Sequence, residues 1–208
     1  MGQRGLFITF EGIDGSGKSS QSRALAKILT DRGTEVVWTR EPGGSPGAEA
    51  IRNLLVQGDT DRWSPETEIL LFTAARRDHL ERTIQPALDA GKTVISDRFA
   101  DSTRVYQGVA RADLRGTVDR LHDMMIGREP DLTFVIDMDP QVALSRGLAR
   151  KSGEDRFEDF GLAFQQNLRA GFLDLSKQYP DRIVVIDGNQ PLEAVTAAVL
   201  QAYQAHVR

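Results

Sequence analysis

Short apolar runs alternate along this chain with longer stretches of helical period. Leu6 to Phe10 is a compact apolar run that predicts a buried strand. Ser20 to Arg32 follows, with Leu25, Ile28 and Leu29 spaced for one helix face, and Gly33 just past its end as a C-cap. Glu35 to Thr39 predicts a second strand, Thr93 to Arg98 a third, Leu132 to Asp137 a fourth and Ile183 to Asp187 a fifth. Between them the pattern predicts helices over 48–56, 65–90, 114–126, 140–148, 157–179 and 192–207. The longest starts with Ser64 as N-cap and Pro65 at N1, and carries Ile69, Leu70, Phe72 and Leu80 as its apolar face. In the helix over 114–126, Leu121, Met124 and Met125 read as core or as a subunit contact. Apolar strands that are each bracketed by helices predict an α/β fold of three layers, with a five-stranded parallel sheet covered on both faces.

The connection after the first strand is Gly12-Ile13-Asp14-Gly15-Ser16-Gly17-Lys18-Ser19, followed by Ser20, and it fits G-x-x-x-x-G-K-[ST]. The glycines allow a tight turn that aims N–H groups at phosphate oxygens, and the helix N-terminus adds partial positive charge. Lys18, at the exposed mouth of the loop, would reach the β- and γ-phosphates of a nucleotide, and the Ser19 hydroxyl would bind Mg²⁺. With strand, loop and helix in register, the fold expected is of the P-loop NTPase type.

Other polar positions gather where such sheets bind ligands. Strands three, four and five end in Asp97, Asp137 and Asp187, and composition does not choose which of these acids faces the metal. Arg40-Glu41-Pro42-Gly43-Gly44 forms a turn after strand two, toward which Arg52 could point back. Phe72 and Arg76, one helical turn apart, could offer a ring and a guanidinium to a base; the same spacing fits a core Phe and a surface Arg. Asp101, Ser102, Thr103, Tyr106 and Gln107 form a polar cluster right after Asp97-Arg98. Arg146, Arg150, Lys151 and Arg156, around Gly153, read as a mobile lid over about 147–158 or as a solvated charged loop. His79, His122 and His206 lack metal-ligand spacing and are expected to be structural.

Composition narrows the classes. At 208 residues the chain is expected to form a single domain. A net charge of −4 gives no basic field for nucleic acid, and the absence of cysteine excludes a disulfide framework or a thiolate metal site, which suits a reducing cytoplasm. No run has the length of a membrane span, and the N-terminus lacks a signal-peptide apolar core. No Asn-Lys-x-Asp segment of the kind that reads guanine in GTP switch proteins is present.

Taken in order, Phe10-Glu11-Gly12 through Lys18-Ser19, Thr39 through Gly44, Leu71-Phe72-Thr73-Ala74-Ala75-Arg76, Asp97-Arg98-Phe99, Asp101-Ser102, Tyr106-Gln107-Gly108 and Asp155-Arg156-Phe157-Glu158 resemble the thymidylate kinase family in its bacterial form. The resemblance runs from about residue 6 to 190. It departs at Val105, where Ala is usual, and at Ala110, where Gly is frequent. It implies transfer of the ATP γ-phosphoryl group to dTMP with Mg²⁺, in a homodimer built through the helices around 66–90 and 114–126. It implies that the loop from Gly12 to Ser20, with Arg146, holds ATP. For dTMP it implies stacking by Phe72, a bond from Arg76 to thymine O4, and Thr103 and Gln107 beside the base. Tyr106 would crowd the sugar 2′ position, Asp14 would meet the 3′-OH or Mg²⁺, and Glu41, Arg52 and Arg98 would complete the acceptor site. Asp97 is the acid implied to join Ser19 at the metal. Gly15 and Ser16 are uncharged where some members carry a basic residue, so the transition-state charge is expected from the lid, as Arg150 with Arg146 and Arg156, beside Lys18 and Arg98.

Overall fold

The computed structural model describes residues 5–59, 62–110, 114–149 and 161–207. Five strands, β1 (Phe7–Glu11), β2 (Val36–Arg40), β3 (Thr93–Asp97), β4 (Leu132–Asp137) and β5 (Ile183–Asp187), pair in the order β2-β3-β1-β4-β5, all parallel. The alternation of strand side chains divides the core between two faces. Ile8, Phe10, Ile95 and Phe134 meet helices α1 (Lys18–Asp31) and α9 (Leu192–His206) through Leu25, Leu29, Val195 and Val199. On the opposite face, Phe7 and Val94 pack with Leu80, Ile84 and Phe99, while Val135 and Ile183 pack with Leu168 and Phe172 of α8 (Gly161–Gln178). The expected three-layer α/β fold is the one observed. The outer strands are less covered than expected, and Val185 on β5, an edge strand of the sheet, is exposed.

The remaining described helices are α2 (Pro46–Val56), α3 (Pro65–His79), α4 (Gln85–Asp89), α5 (Ala100–Val105), α6 (Arg115–Met125) and α7 (Pro140–Ala149). The single helix expected over 65–90 is three pieces: α3 passes through a π turn at Leu80–Ile84 before α4. Pro86 supplies the reason, since it has no N–H and its ring crowds the carbonyl four residues earlier. The ladder widens there, and Gln85 N–H reaches back to Leu80 O. The Ser64 cap forms as expected, its Oγ accepting from Thr67 N–H at 3.2 Å.

Leu70 leaves the expected apolar face and is 59% exposed. Met124 and Met125 are 77% and 43% exposed, so the core reading of that pair fails. Of the histidines, His79 and His122 are buried, whereas His206 is exposed at the end of α9 and supports no core.

Candidate active site

The chain leaves β1 for β2 on one side of the sheet and β3 for β4 on the other, so a crevice opens beyond the carboxyl ends of β1 and β3. The loop from Gly12 to Lys18 occupies it. Gly12 and Gly15 stand at φ 134° and 83°. A Cβ on Gly12 would come within 2.6 Å of Ile136 O, and one on Gly15 would overlap the Ala143 carbonyl on α7. Glycine there is therefore a matter of space as well as of dihedral angle. Ile13 is buried in the core, Ser20 is exposed, and Ser16 Oγ is buried without a hydrogen-bond partner among the described residues.

Lys18 corrects the expectation of an exposed side chain: only 6% is accessible, and its Nζ donates to Ile13 O (3.2 Å) and Asp14 Oδ1 (3.3 Å). Burial and the neighbouring Arg98 charge lower its pKa, against the opposing pull of Asp14 and Asp97.

Arg98 holds the other wall. Its Nη2 donates to Asp14 Oδ1 (2.5 Å) and Tyr106 Oη (3.0 Å), and its Nη1 to Gly12 O (3.3 Å) and Ser102 Oγ (2.8 Å). Tyr106 Oη in turn donates to Asp14 Oδ2 at 2.7 Å. Burial alone would raise the Asp14 pKa, but Arg98 and Lys18 outweigh it and hold the carboxyl below its usual range. Burial pushes the Tyr106 phenol well up, so it remains a donor. Arg98 takes φ 71°, a left-handed conformation that is strained for a side chain with a Cβ. Its backbone is pinned on both sides: N–H to Phe10 O (2.9 Å), and Ser96 Oγ to its carbonyl (2.7 Å).

Beneath this turn lies Glu11, fully buried, to which the sequence reading assigned no role. Its Oε1 accepts Phe99 N–H (2.8 Å), and its Oε2 accepts Ser102 Oγ–H (2.5 Å). Burial and nearby Asp101 raise its pKa to about 7, with Arg98 opposing. Its position one residue before the glycine-rich loop, in a strand otherwise apolar but for Thr9, was the available signal.

Of the three strand-end acids, Asp137 is bound by Arg169 through Nε (2.6 Å) and Nη2 (2.8 Å), and Asp187 accepts from Asn189 and Gln190. Asp97 is buried and its Oδ1 has no hydrogen-bond partner among the described residues. A buried carboxylate oxygen left open beside Lys18 is the donor that a hard cation takes. The Ser19 hydroxyl makes no hydrogen bond with a described residue. These two residues fit Mg²⁺.

From Asp14 and Arg98 a cleft, open to solvent at its mouth, runs between α2, α3 and α5. Asp14, Glu41, Arg52, Phe72, Arg76, Arg98, Thr103, Tyr106 and Gln107 all line it, so each residue expected in the acceptor site is brought there. Pro42, Val56, Phe99 and Ser102 also line it and were given no binding role, although Pro42, Phe99 and Ser102 lie within the motifs that carry the resemblance. Arg52 Nη1 donates to Pro42 O (2.6 Å), so α2 does turn its arginine back toward the loop. Arg40 is turned away onto Glu49. Arg76, expected on the surface by spacing alone, is buried. Its Nε donates to Glu41 Oε2 (2.8 Å), and its Nη2 to Phe99 O (3.1 Å) and Thr103 Oγ1 (3.0 Å). Gln107 donates to buried Glu68 at 3.0 Å.

Arg146 lies on α7, one turn beyond the Ala143 carbonyl that abuts Gly15, with Nη1 3.4 Å from Met138 Sδ. Arg150, Lys151, Gly153 and Arg156, and with them most of the expected lid, lie outside the described residues.

A parallel sheet of this order, a glycine-rich phosphate loop at its centre and an arginine-lined cleft opening onto that loop define a P-loop nucleotide kinase. The family model for thymidylate kinase matches residues 10–199. The chain is 72% identical to a thymidylate kinase of Dinoroseobacter shibae over 200 residues, covering 96% of this chain and 97% of that one. It is 63% identical to one of Ruegeria pomeroyi, covering 100% and 98%. The crystal structure of a thymidylate kinase from Ehrlichia chaffeensis superposes with a TM-score of 0.80 at 36% identity, covering 97% of this chain and 100% of that one. The chain belongs to the thymidylate kinase family.

Proposed function

We propose that this enzyme transfers the γ-phosphoryl group of ATP to dTMP, giving dTDP and ADP on the route to dTTP. The observation that carries the reading is the continuity of the cleft with the phosphate loop through the shared contacts of Asp14, Arg98 and Tyr106. An acceptor seated in the cleft has its phosphate at Arg98 and its base toward Phe72, Arg76, Thr103 and Gln107. Arg52 meets the acceptor phosphate from α2. Tyr106 crowds the sugar 2′ position, and Asp14 meets the 3′-OH. Glu41 holds Arg76 in place.

The donor lies across the loop from Gly12 to Ser20, with its phosphates on the backbone N–H groups. Lys18 exchanges its contacts with Ile13 O and Asp14 for the β- and γ-phosphates. Ser19 and Asp97 would hold Mg²⁺, which would supply charge to offset that of the phosphates. The acceptor is an ionised phosphate already, so no general base is needed; positioning and charge carry the reaction. The charge that spreads in the transition state falls to Arg98 and to the arginines of a lid over 147–158, Arg150 with Arg146 and Arg156. The chain acts as one domain and as a homodimer in the cytoplasm. The exposed Leu70 on α3 and Met124 and Met125 on α6 support the dimer. No described helix is long and apolar enough to cross a membrane.

A coupled assay with ATP tests the reading by offering dTMP, dUMP, dGMP, AMP and thymidine in turn. dTMP is expected to give the highest kcat/KM. Preference for AMP or thymidine would overturn the assignment.

A further inference from the structure

His79 carries no role in the site as described, yet it is fully buried against residues that line it. Its Nδ1 lies 3.0 Å from Glu41 Oε1, and its Nε2 lies 2.7 Å from Thr39 Oγ1. A carboxylate only accepts, so Nδ1 carries a proton toward Glu41; in the neutral ring Nε2 then accepts the Thr39 hydroxyl. Glu41 in turn holds Arg76 through Nε, and Thr103 and the Phe99 carbonyl hold the same guanidinium through Nη2. The result is an unbroken buried chain from the end of β2 to the wall of the cleft: Thr39, His79, Glu41, Arg76, Thr103. It leaves Nη1 of Arg76 with no hydrogen-bond partner among the described residues.

A second feature is shaped around this chain. Gly44 stands at φ 85°, and a Cβ there would overlap both His79 Nε2 and Thr39 Oγ1. The Gly44 carbonyl accepts from Thr83 Oγ1 at 2.7 Å, just past the end of α3, so the turn after β2 is tied down over the histidine. The relay is thus enclosed as well as hydrogen-bonded. An ion pair such as Arg76–Glu41 is expensive to bury unless every remaining donor and acceptor is satisfied. His79 satisfies the carboxylate oxygen that Arg76 does not.

We propose that His79 is a positioning residue for acceptor selection: by fixing Glu41 it fixes the one free N–H edge of Arg76, and so makes the cleft demand a carbonyl oxygen on the pyrimidine. An arginine has donors alone, so a base with an amino group at that place brings donor against donor in a dry site. This inference rests on Arg76 as the reader of the base. Loosening the relay lets Arg76 swing, and discrimination between a 4-oxo and a 4-amino pyrimidine falls.

The test compares dTMP with 5-methyl-dCMP, which differ at that position, as acceptors for the full-length enzyme. His79→Phe removes both hydrogen bonds. His79→Asn retains a donor near the Nδ1 position. Thr39→Val cuts the far end of the relay with little change of shape and decides the matter if His79→Phe does not fold. His79→Phe and Thr39→Val are expected to raise the KM for dTMP, by about ten-fold for the former, with kcat and the KM for ATP little changed. The dTMP to 5-methyl-dCMP ratio of kcat/KM falls in parallel, and His79→Asn recovers part of it. Arg76→Ala is the control. If it leaves the ratio unchanged, the reading of Arg76 itself is wrong. If it collapses the ratio while Thr39→Val and the folded His79 variants leave it intact, the positioning role is refuted and the base reader stands. A uniform loss of kcat with a lowered melting temperature and an unchanged ratio also refutes it, leaving His79 as packing.

Discussion

Glu11→Gln isolates the energetic consequence of placing a carboxylate beneath the arginine turn. Glu11 is fully buried, and its pKa rises from the ordinary 4.5 to about 7 because burial and Asp101 disfavour its charge. Between those two values the folded state holds a proton that the unfolded chain has released, so stability falls as pH rises through that window and is flat above it. One pKa unit corresponds to about 1.4 kcal/mol, so the Glu11 contribution between pH 5.5 and 8 is about 2 kcal/mol. Glutamine does not titrate. Urea denaturation of both proteins at pH 5.5 and pH 8 should therefore show the variant gaining about 2 kcal/mol relative to wild type at the higher pH. Other titrating groups cancel in that difference. Activity should move the other way. Losing the negative charge near Arg98, and the acceptor for Ser102 Oγ–H, loosens the turn that presents Arg98 to the acceptor, and kcat/KM should drop by about ten-fold or more. Parallel stability differences at the two pH values would refute the raised pKa. Unchanged kcat/KM would refute the link from Glu11 to Arg98.

Three further outcomes are expected. Lys18→Ala should lower kcat by at least about 10²-fold. The melting temperature should hardly change, since Asp14 keeps Arg98 and Tyr106 as partners; near wild-type turnover would remove Lys18 from the phosphate site. Asp97→Asn should raise the Mg²⁺ concentration for half-maximal rate by about 10- to 100-fold, read in a magnesium titration at saturating nucleotides; an unchanged midpoint would send the metal elsewhere. Of Arg146→Ala, Arg150→Ala and Arg156→Ala measured side by side, Arg150→Ala should cut kcat most, by at least about 10²-fold, with little change in the KM for dTMP. If none changes kcat more than about threefold, the lid does not supply the charge.

The order of strands and helices was readable from the chain because apolar period and turn residues act locally. The run from Leu6 to Phe10, the glycine spacing of the phosphate loop and the Ser64-Pro65 start of α3 each report a short-range constraint, and each element formed. The residues gathered in the acceptor cleft were legible through motif resemblance more than through pattern. The Phe72–Arg76 spacing fits a core pair as well as a binding pair. Other features depended on which side chains met across the sheet. Asp97, Asp137 and Asp187 are equivalent in sequence. They differ in the fold because Arg169 reaches Asp137 and the turn after β5 closes on Asp187, while one oxygen of Asp97 is left open. Lys18 is buried because Asp14, four residues away, is held in turn by an arginine eighty-four positions along the chain. Glu11 and His79 are unremarkable letters until β1, β3 and α3 come together around them. Burial, and the partners available in it, set the charge and orientation of such groups, and both are properties of the assembled fold.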